Sequence, residues 1–462
     1  TGPGAGRALA EWIVNGYPTL DLSGMDPARC EPFQARDRYL QARCPETLVR
    51  TYAMHWPNYQ RETARSIRRT PFYHRLREQG ACFTETQGWE RPGWYAPEGI
   101  TPQYDYSFGR QNWFEYALDE QRAARERVAI VDYSMLGKIS VEGVGAEAFL
   151  QRVCTNNMAM ACGRIAYTLL LNERGGIESD VTVARYADDH FMVMSSIART
   201  RRDYLWLAAL IEPEEQVKLR DETASLGVLG VMGPQSRALM TAVTDLDVTN
   251  EAFPFNRFYE CHIGHAKVTA QRLSYSGELG WEVLVTPDFA EHVLDSLLSA
   301  GAPLGVKLLG SEALNALRIE KGFLHWGHDM AYTESPHQVG LDFTCKTDKS
   351  PAFIGREAYL RRKAEATGPY LCAVRLKDSA PLMHHNEPVL RDGKVVGYVT
   401  SGAFSAHFHC AVGLCFIDLP DDAQSKAAIA SGDYTVMIEG EPVAAEVSVQ
   451  PFYDPLNERM LS

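Results

Sequence analysis

In the stretch "GGIESDVTV", residues 175–183, two glycines open onto a run of alternating β-branched residues that carries Glu178 and Asp180. A carboxylate on a strand is held in direction more firmly than one on a loop, as general acid–base chemistry requires. Alternation places Ile177, Ser179, Val181 and Val183 on one face and Glu178, Asp180 and Thr182 on the other. The paired glycines permit a tight turn and a close approach of a ligand to the chain. If Asp180 faces a cavity, burial raises its pKa and a bound cation lowers it. The plainer alternative is an aspartate that pairs with a neighbouring arginine or accepts backbone N–H bonds.

Two further stretches carry groups suited to a flat, polar ligand. In "RLSYSGELGWEVLV", residues 272–285, Tyr275 and Glu282 flank a glycine-bounded turn between strands. A carboxylate such as Glu282 can accept two parallel hydrogen bonds from an amidine-like N–C–N edge, with Tyr275 as a ring wall. A hairpin with Glu282 solvated and Tyr275 and Trp281 in the core fits the same residues. In "SEALNALRIEKGFLHWGHDM", residues 311–330, Ser311 is the expected helix N-cap, Leu314 and Leu317 mark the buried side, and Gly322 ends the helix. Arg318 offers a planar fork to a ligand carboxylate, or is with Glu320 an ordinary helix-surface charge.

The elements that must position these groups follow from periodicity. Residues 1–16 read as a glycine-rich turn and an amphipathic helix with Leu9, Trp12 and Ile13 on one face. Gly2, Gly4 and Gly6 lack the third glycine of a dinucleotide fingerprint and follow no strand, which favours a turn over a phosphate loop. Residues 26–105 are rich in Arg, Pro and aromatics, and "GWERPGWYAPEG" at 88–99 predicts a wrapping segment without long regular elements, anchored by Trp89 and Trp94. From Asn112 a helix at about 116–127, two short strands broken at 134–137 and a helix from about 145 lead into alternating strands and helices up to about 345. Beyond residue 356, "YLCAVRLK", "EPVLRDGKVVGYVTSG", "CAVGLCFI" and "YTVMIEGEPVAAEVSV", with Asp-Gly and Glu-Gly turns, predict a small β-barrel or sandwich. The fold class is α+β, and 462 residues exceed one core.

Composition narrows the partners. A net charge of −13 argues against nucleic acid. No apolar run reaches the ~18 residues of a membrane span, and no basic, apolar leader opens the chain. Ten scattered cysteines without a C-x-x-C pair fit free thiols in a reducing compartment. His384 with His385, His325 with His328, and His407 with His409, the last pair expected on one face of the strand-like "SAHFHCAVGLCFI", form no zinc pattern, so no metal is expected.

Taken together and in this order, the three stretches resemble the folate-binding aminomethyltransferase fold of the glycine-cleavage T-protein. The whole chain is similar to the C-terminal portion of the sarcosine and dimethylglycine dehydrogenases through "GWERPGWY", "GGIESDVTVAR", "TNEAFPF", "IEKGFLHWGHDM", "VGLDFTCK", "FIGREA", "SGDYTVMIEG" and "PFYDPLNERM". This resemblance implies the tail of a flavin-binding domain over 1–25, a connecting segment over 26–110, a folate-binding aminomethyltransferase domain over 111–355 and a β-barrel domain over 356–462. It implies an oxidative demethylase, in which a flavin domain oxidises a small N-methylated amine and the one-carbon unit crosses an internal cavity to tetrahydrofolate, giving 5,10-methylenetetrahydrofolate. The dinucleotide fingerprint and most of the flavin domain are absent, so FAD is expected only with a missing N-terminal domain or a partner subunit. Residue by residue, the resemblance makes Asp180 the catalytic acid, Tyr275 and Glu282 the pterin-binding pair, Tyr167 a folate contact and Arg318 the basic residue near the glutamate tail. It sets Trp326 where the T-protein usually has Tyr, and Ser196 where it commonly has Asn. Its alternatives are a stand-alone tetrahydrofolate-dependent O- or S-demethylase and a non-catalytic folate-binding subunit; the compartment implied is the bacterial cytoplasm or the mitochondrial matrix.

Overall fold

Two stretches of similar texture build the body of the molecule. A computed structural model describes residues 2–365, 368–419 and 426–462. In the first half, strand Gly137–Glu142, helix Ala146–Val153, strands Ile165–Leu171, Ile177–Ala187 and His190–Ser195, helix Thr200–Ala209 and strand Lys218–Asp221 follow one another. The second half repeats the pattern with strand Gly227–Met232, helix Ser236–Val243, strands Phe258–Ile263, Ala266–Gln271 and Gly280–Val285, helix Ala290–Gly301 and strand Lys307–Leu308. In both sheets the first strand of the half pairs with its fourth, and in the second sheet Ala129–Asp132 is inserted beside it. Each first strand is followed by a glycine of the same unusual conformation, Gly143 at φ 122° and Gly233 at φ 128°. A Cβ there would meet a backbone oxygen at 2.0 Å (Gln216) or 2.5 Å (Arg127), so only glycine fits.

Side-chain parity decides which faces meet. Val181, Val183 and Val193 pack against helix residues Phe149, Leu150 and Leu207, and Val283 and Val285 pack against Leu294 and Leu297. The opposite faces turn toward each other: Ala184, Met192 and Met194 of the first sheet and Val131, Tyr133 and Leu284 of the second share Leu136 and Leu226 as neighbours. Asp180 has the parity of Ala184 and Glu282 that of Leu284, so both carboxylates point into the space between the sheets.

The N-terminal quarter differs from expectation. The glycines form no turn before the first helix but lie inside it, Gly2–Asn15, where Ala8 is the buried residue and Leu9, Ile13 and Val14 are 57%, 74% and 81% exposed. Residues 26–105 contain a 14-residue helix, Asp37–Arg50, running through Pro45, and a hairpin of Ala81–Thr86 and Trp89–Tyr95. Tertiary contacts carry that helix past its proline: Arg43 pairs with Glu85 at 3.1 Å, and Glu46 accepts the backbone N–H groups of Glu62 and Thr63. Trp89 and Trp94 are both buried, as anchors should be.

The C-terminal strands Tyr370–Leu376, Cys410–Ile417, Lys394–Ser405, Pro388–Arg391, Tyr434–Ile438 and Glu441–Ser448 close, in that order, into a barrel. Asp392-Gly393 and Glu439-Gly440 have positive φ at both positions, the geometry that matches a hairpin's twist. His407 and His409 do not share a strand: they occupy the turn between Ser405 and Cys410, with His409 at φ 56°. Barrel hydroxyls that donate to buried, ion-paired carboxylates tie barrel to body. Arg125 bridges Glu278 and Glu320, Ser405 donates to Glu320 at 2.5 Å, and Arg318 pairs with Asp329, which accepts from Thr400 and Ser401. Helix Ser311–Glu320 is therefore fixed against the barrel along its length. It starts from Gly310 and not from a Ser311 cap, and residue 310 has to be glycine, since a Cβ there would meet the Gly93 carbonyl oxygen at 2.1 Å. No described helix is long and apolar enough to cross a membrane.

Candidate active site

Asp180 sits opposite Leu169 in the sheet, and its neighbour across the ladder, Tyr167, donates its hydroxyl to Asp180 Oδ2 at 3.1 Å. Among the described residues Asp180 makes no ion pair. Burial pushes its carboxyl up to about 6, the Tyr167 hydrogen bond working against that rise and the Asp203 charge adding to it. Behind the strand, Ser179 and Ser195 both donate to Asp203 Oδ2, at 2.6 and 2.5 Å, while Glu178 is taken by Arg202 and Asn172. This polar backing holds the strand rigid on its far side. Gly175 and Gly176 give access to protein, not to a ligand: a Cβ on Gly175 would meet Tyr359 N at 2.7 Å, and one on Gly176 the Tyr332 carbonyl oxygen at 1.8 Å.

Glu282 faces the same space from the second sheet. Among the described residues nothing hydrogen-bonds to its carboxylate, which burial pushes up to about 7 against the pull of the Lys138 ammonium. Beside it the Tyr133 hydroxyl is buried without a partner. Lys138 is fully buried, its ammonium donating to the carbonyls of Ser134 and Leu136 at 2.8 Å each, and burial pulls it down to about 7. Tyr275 lies near Asp180: its hydroxyl donates to the Leu324 carbonyl at 3.2 Å, its ring stacks on Phe323, and burial first, then the charge of Asp180, pushes its phenol up to about 12. Asp180, Tyr167 and Tyr275 keep accessible surface while their charges carry the penalty of deep burial, which is the behaviour of groups lining an interior cavity.

The structure thus turns Tyr167, Asp180, Tyr275 and Glu282 toward the space between the two sheets and treats two other expected residues differently. Arg318 is 2% exposed, and four of its five N–H donors are spent on Asn315, the Phe323 carbonyl, Asp329 and Ser401. Trp326 is buried, its indole N–H donating to the Ile177 carbonyl at 2.9 Å and its face covered by the Arg199 guanidinium at 3.6 Å. Ser196 keeps a buried hydroxyl oxygen without a partner. Sequence reasoning missed Tyr133 and Lys138, which sit in a run legible only as strand and turn. The His325 and His328 rings lie 4.7 Å apart, tilted at 47°, and burial lowers both, His325 to about 3; no group of three or more His, Cys, Asp or Glu that could hold a metal exists among the described residues.

A cleft with an unpartnered carboxylate and an orphaned hydroxyl on one side, and a raised carboxylate on the other, suits a ligand with an N–C–N donor edge and a titratable nitrogen. Comparison with known proteins agrees with this architecture. The profile of the GCVT N-terminal domain matches residues 72–349, that of the glycine cleavage T-protein C-terminal barrel domain 370–454, and that of the FAD dependent oxidoreductase central domain 15–70. The chain is 40% identical over 458 residues to 4-methylaminobutanoate oxidase (formaldehyde-forming) of Paenarthrobacter nicotinovorans, covering 99% of this chain and 55% of that protein. It is 31% identical to mitochondrial sarcosine dehydrogenase of Homo sapiens, covering 99% and 54%. It therefore spans about half the length of the curated relatives it matches. The aminomethyltransferase T of the glycine cleavage system from Bartonella henselae superposes with a TM-score of 0.70 at 22% identity, over 84% of this chain and 99% of that one, and shares the fold. On the match across 72–349, and with the barrel that follows it, the chain belongs to the glycine-cleavage T-protein (GCVT) family.

Proposed function

We propose that this chain is the tetrahydrofolate-dependent part of an N-methyl amine dehydrogenase or oxidase, and that it captures the one-carbon unit of oxidative demethylation as 5,10-methylenetetrahydrofolate. The observation that carries the reading is Asp180: a carboxylate without a counter-ion, fixed by Tyr167, facing the same cavity as the unpartnered Glu282. The relatives' names add the amine class, since one is a formaldehyde-forming oxidase of a methylamino acid and the other a sarcosine dehydrogenase. Tetrahydrofolate, when bound, supplies the nitrogen nucleophile that takes up the carbon. Glu282 accepts the N–C–N edge of the pterin, a donor pair that favours its ionised form and returns its pKa toward the ordinary range. Tyr275 walls the ring. Asp180, ionised above about 6, takes the proton that the folate nitrogen must lose and later returns one.

Flavin chemistry belongs elsewhere in this reading. Gly2, Gly4 and Gly6 lie in a solvent-exposed helix with nothing within 4 Å of an added Cβ, so these glycines form no cradle for a dinucleotide, and FAD enters with a flavin-binding domain or partner subunit. The ten free thiols fit a reducing compartment, bacterial cytoplasm or mitochondrial matrix. The test is a pair of variants. Glu282→Gln should weaken tetrahydrofolate binding by about 1–3 kcal/mol through loss of a charge-assisted pair, while Asp180→Asn should bind folate and lose about 10²- to 10⁴-fold of the acceleration of methylene formation from formaldehyde. Unchanged binding and unchanged acceleration in both variants would overturn the reading.

A further inference from the structure

Around the cavity, the interior cations are matched, with one exception. Arg318 holds Asp329, Lys138 holds two carbonyl oxygens, and Arg199 donates to the Glu178 carbonyl at 2.6 Å while covering Trp326. Arg91, on strand Trp89–Tyr95, donates from Nε to Thr84 Oγ1 at 3.1 Å. Among the described residues its guanidinium has no ion pair and no other acceptor. Glu90, the residue before it, points to the opposite face and is engaged by Arg65.

Close backbone packing sets the strand that carries Arg91 against the helix that carries Arg318. A Cβ on Gly93 would meet the Tyr104 hydroxyl at 2.0 Å, and one on Gly310 the Gly93 carbonyl oxygen at 2.1 Å, so the hairpin lies directly against the start of helix Ser311–Glu320. Arg91 sits within electrostatic reach of Tyr275, His325, Tyr104 and Glu312. The acid among them is no substitute counter-ion: Glu312 accepts from the Tyr104 hydroxyl at 2.9 Å, lies beyond ion-pair distance of Arg91, and is pushed up by burial toward its neutral form. Arg91 is half-buried, and burial lowers it without discharging it, because guanidinium stays protonated in proteins. A desolvated guanidinium is costly unless something accepts its hydrogen bonds. Its fork matches the two oxygens of a carboxylate.

We propose that Arg91, and not Arg318, is the carboxylate-binding residue of this cavity. The inference rests on the pterin reading above, which puts a ligand against Tyr275, and the carboxylate has two sources: the glutamate tail of a bound folate, or the acid group of an N-methyl amino acid. Titrating the full 462-residue chain separates them. The wild type, Arg91→Gln and Arg91→Lys are each measured with tetrahydrofolate, with 6-methyltetrahydropterin, which has the ring and no carboxylate, and with N-methylglycine. If the folate tail is the source, Arg91→Gln weakens tetrahydrofolate about 10- to 100-fold, leaves 6-methyltetrahydropterin unchanged, and Arg91→Lys recovers part of the loss. If the amine is the source, N-methylglycine weakens by the same factor and tetrahydrofolate does not. Unchanged 6-methyltetrahydropterin affinity also certifies that the variant is folded. Equal weakening of all three ligands, or of none, overturns the inference. In the latter case the pterin reading survives if Glu282→Gln still weakens 6-methyltetrahydropterin; if the wild type binds neither pterin, both fall together.

Discussion

At the scale of single residues, the raised carboxyl of Asp180 ties activity to stability. A proton-accepting Asp180 makes methylene formation climb as pH rises through about 6, and Asp180→Asn removes that limb along with about 10²- to 10⁴-fold of the acceleration. Stability runs the other way. The folded value near 6 exceeds the unfolded value of about 3.9, so the contribution of Asp180 is fully present below the unfolded pKa and is lost as pH rises through the folded one. Urea denaturation should therefore find Asp180→Asn more stable than wild type at about pH 8, by roughly 1–3 kcal/mol, and level with it near about pH 4; a variant less stable at the higher pH would contradict the burial described here. Asp180, Tyr275 and Glu282 could be singled out because each lies close to a glycine-bearing turn within a short stretch. Tyr133, Lys138 and Arg91 could not, since each reaches the cavity only through strand order and backbone packing, to which residue type and spacing give no clue.

At the scale of elements, the helix Ser311–Glu320 shows what periodicity can and cannot tell. Its extent, its buried Leu317 and its end at Gly322, φ 71°, follow from the sequence. The fate of Arg318 does not, because Asp329, Thr400 and Ser401 arrive from a returning loop and a barrel strand. Asp329→Ala should cost about 3–5 kcal/mol, leaving a buried guanidinium without its counter-ion and the Ser401 hydroxyl without an acceptor, while Thr400 keeps the Leu414 carbonyl. Chemical denaturation checks this, and a loss below about 1 kcal/mol would mean that the pair does not fasten barrel to body. The same limit explains the Asp37–Arg50 helix: Pro45 argues against it locally, and distant partners such as Glu85 overrule the local signal.

At the scale of the whole molecule, two similar halves, each with an inward-facing carboxylate, meet across one interior space, and barrel hydroxyls bound to buried carboxylates pin the barrel beside it. The barrel was legible from its Asp-Gly and Glu-Gly turns. The duplication was not, for it rests on strand order more than on shared residues. The apolar side chains exposed on Gly2–Asn15 and Asp37–Arg50, among them Ile13, Val14, Leu48 and Val49, fall in and beside the stretch matching a flavin oxidoreductase domain. A ligand that binds only the folded cavity also stabilises it, by about 2.7 kcal/mol at a hundredfold excess over Kd, and thermal denaturation with and without tetrahydrofolate should show that shift. The most direct evidence is a crystal structure of this chain with tetrahydrofolate. We expect the pterin between the sheets, its N–C–N edge within about 3 Å of the Glu282 carboxylate and a folate nitrogen within hydrogen-bond reach of Asp180, directly or through one water. Folate bound anywhere else, or bound there with Asp180 turned away from it, would contradict the assignment.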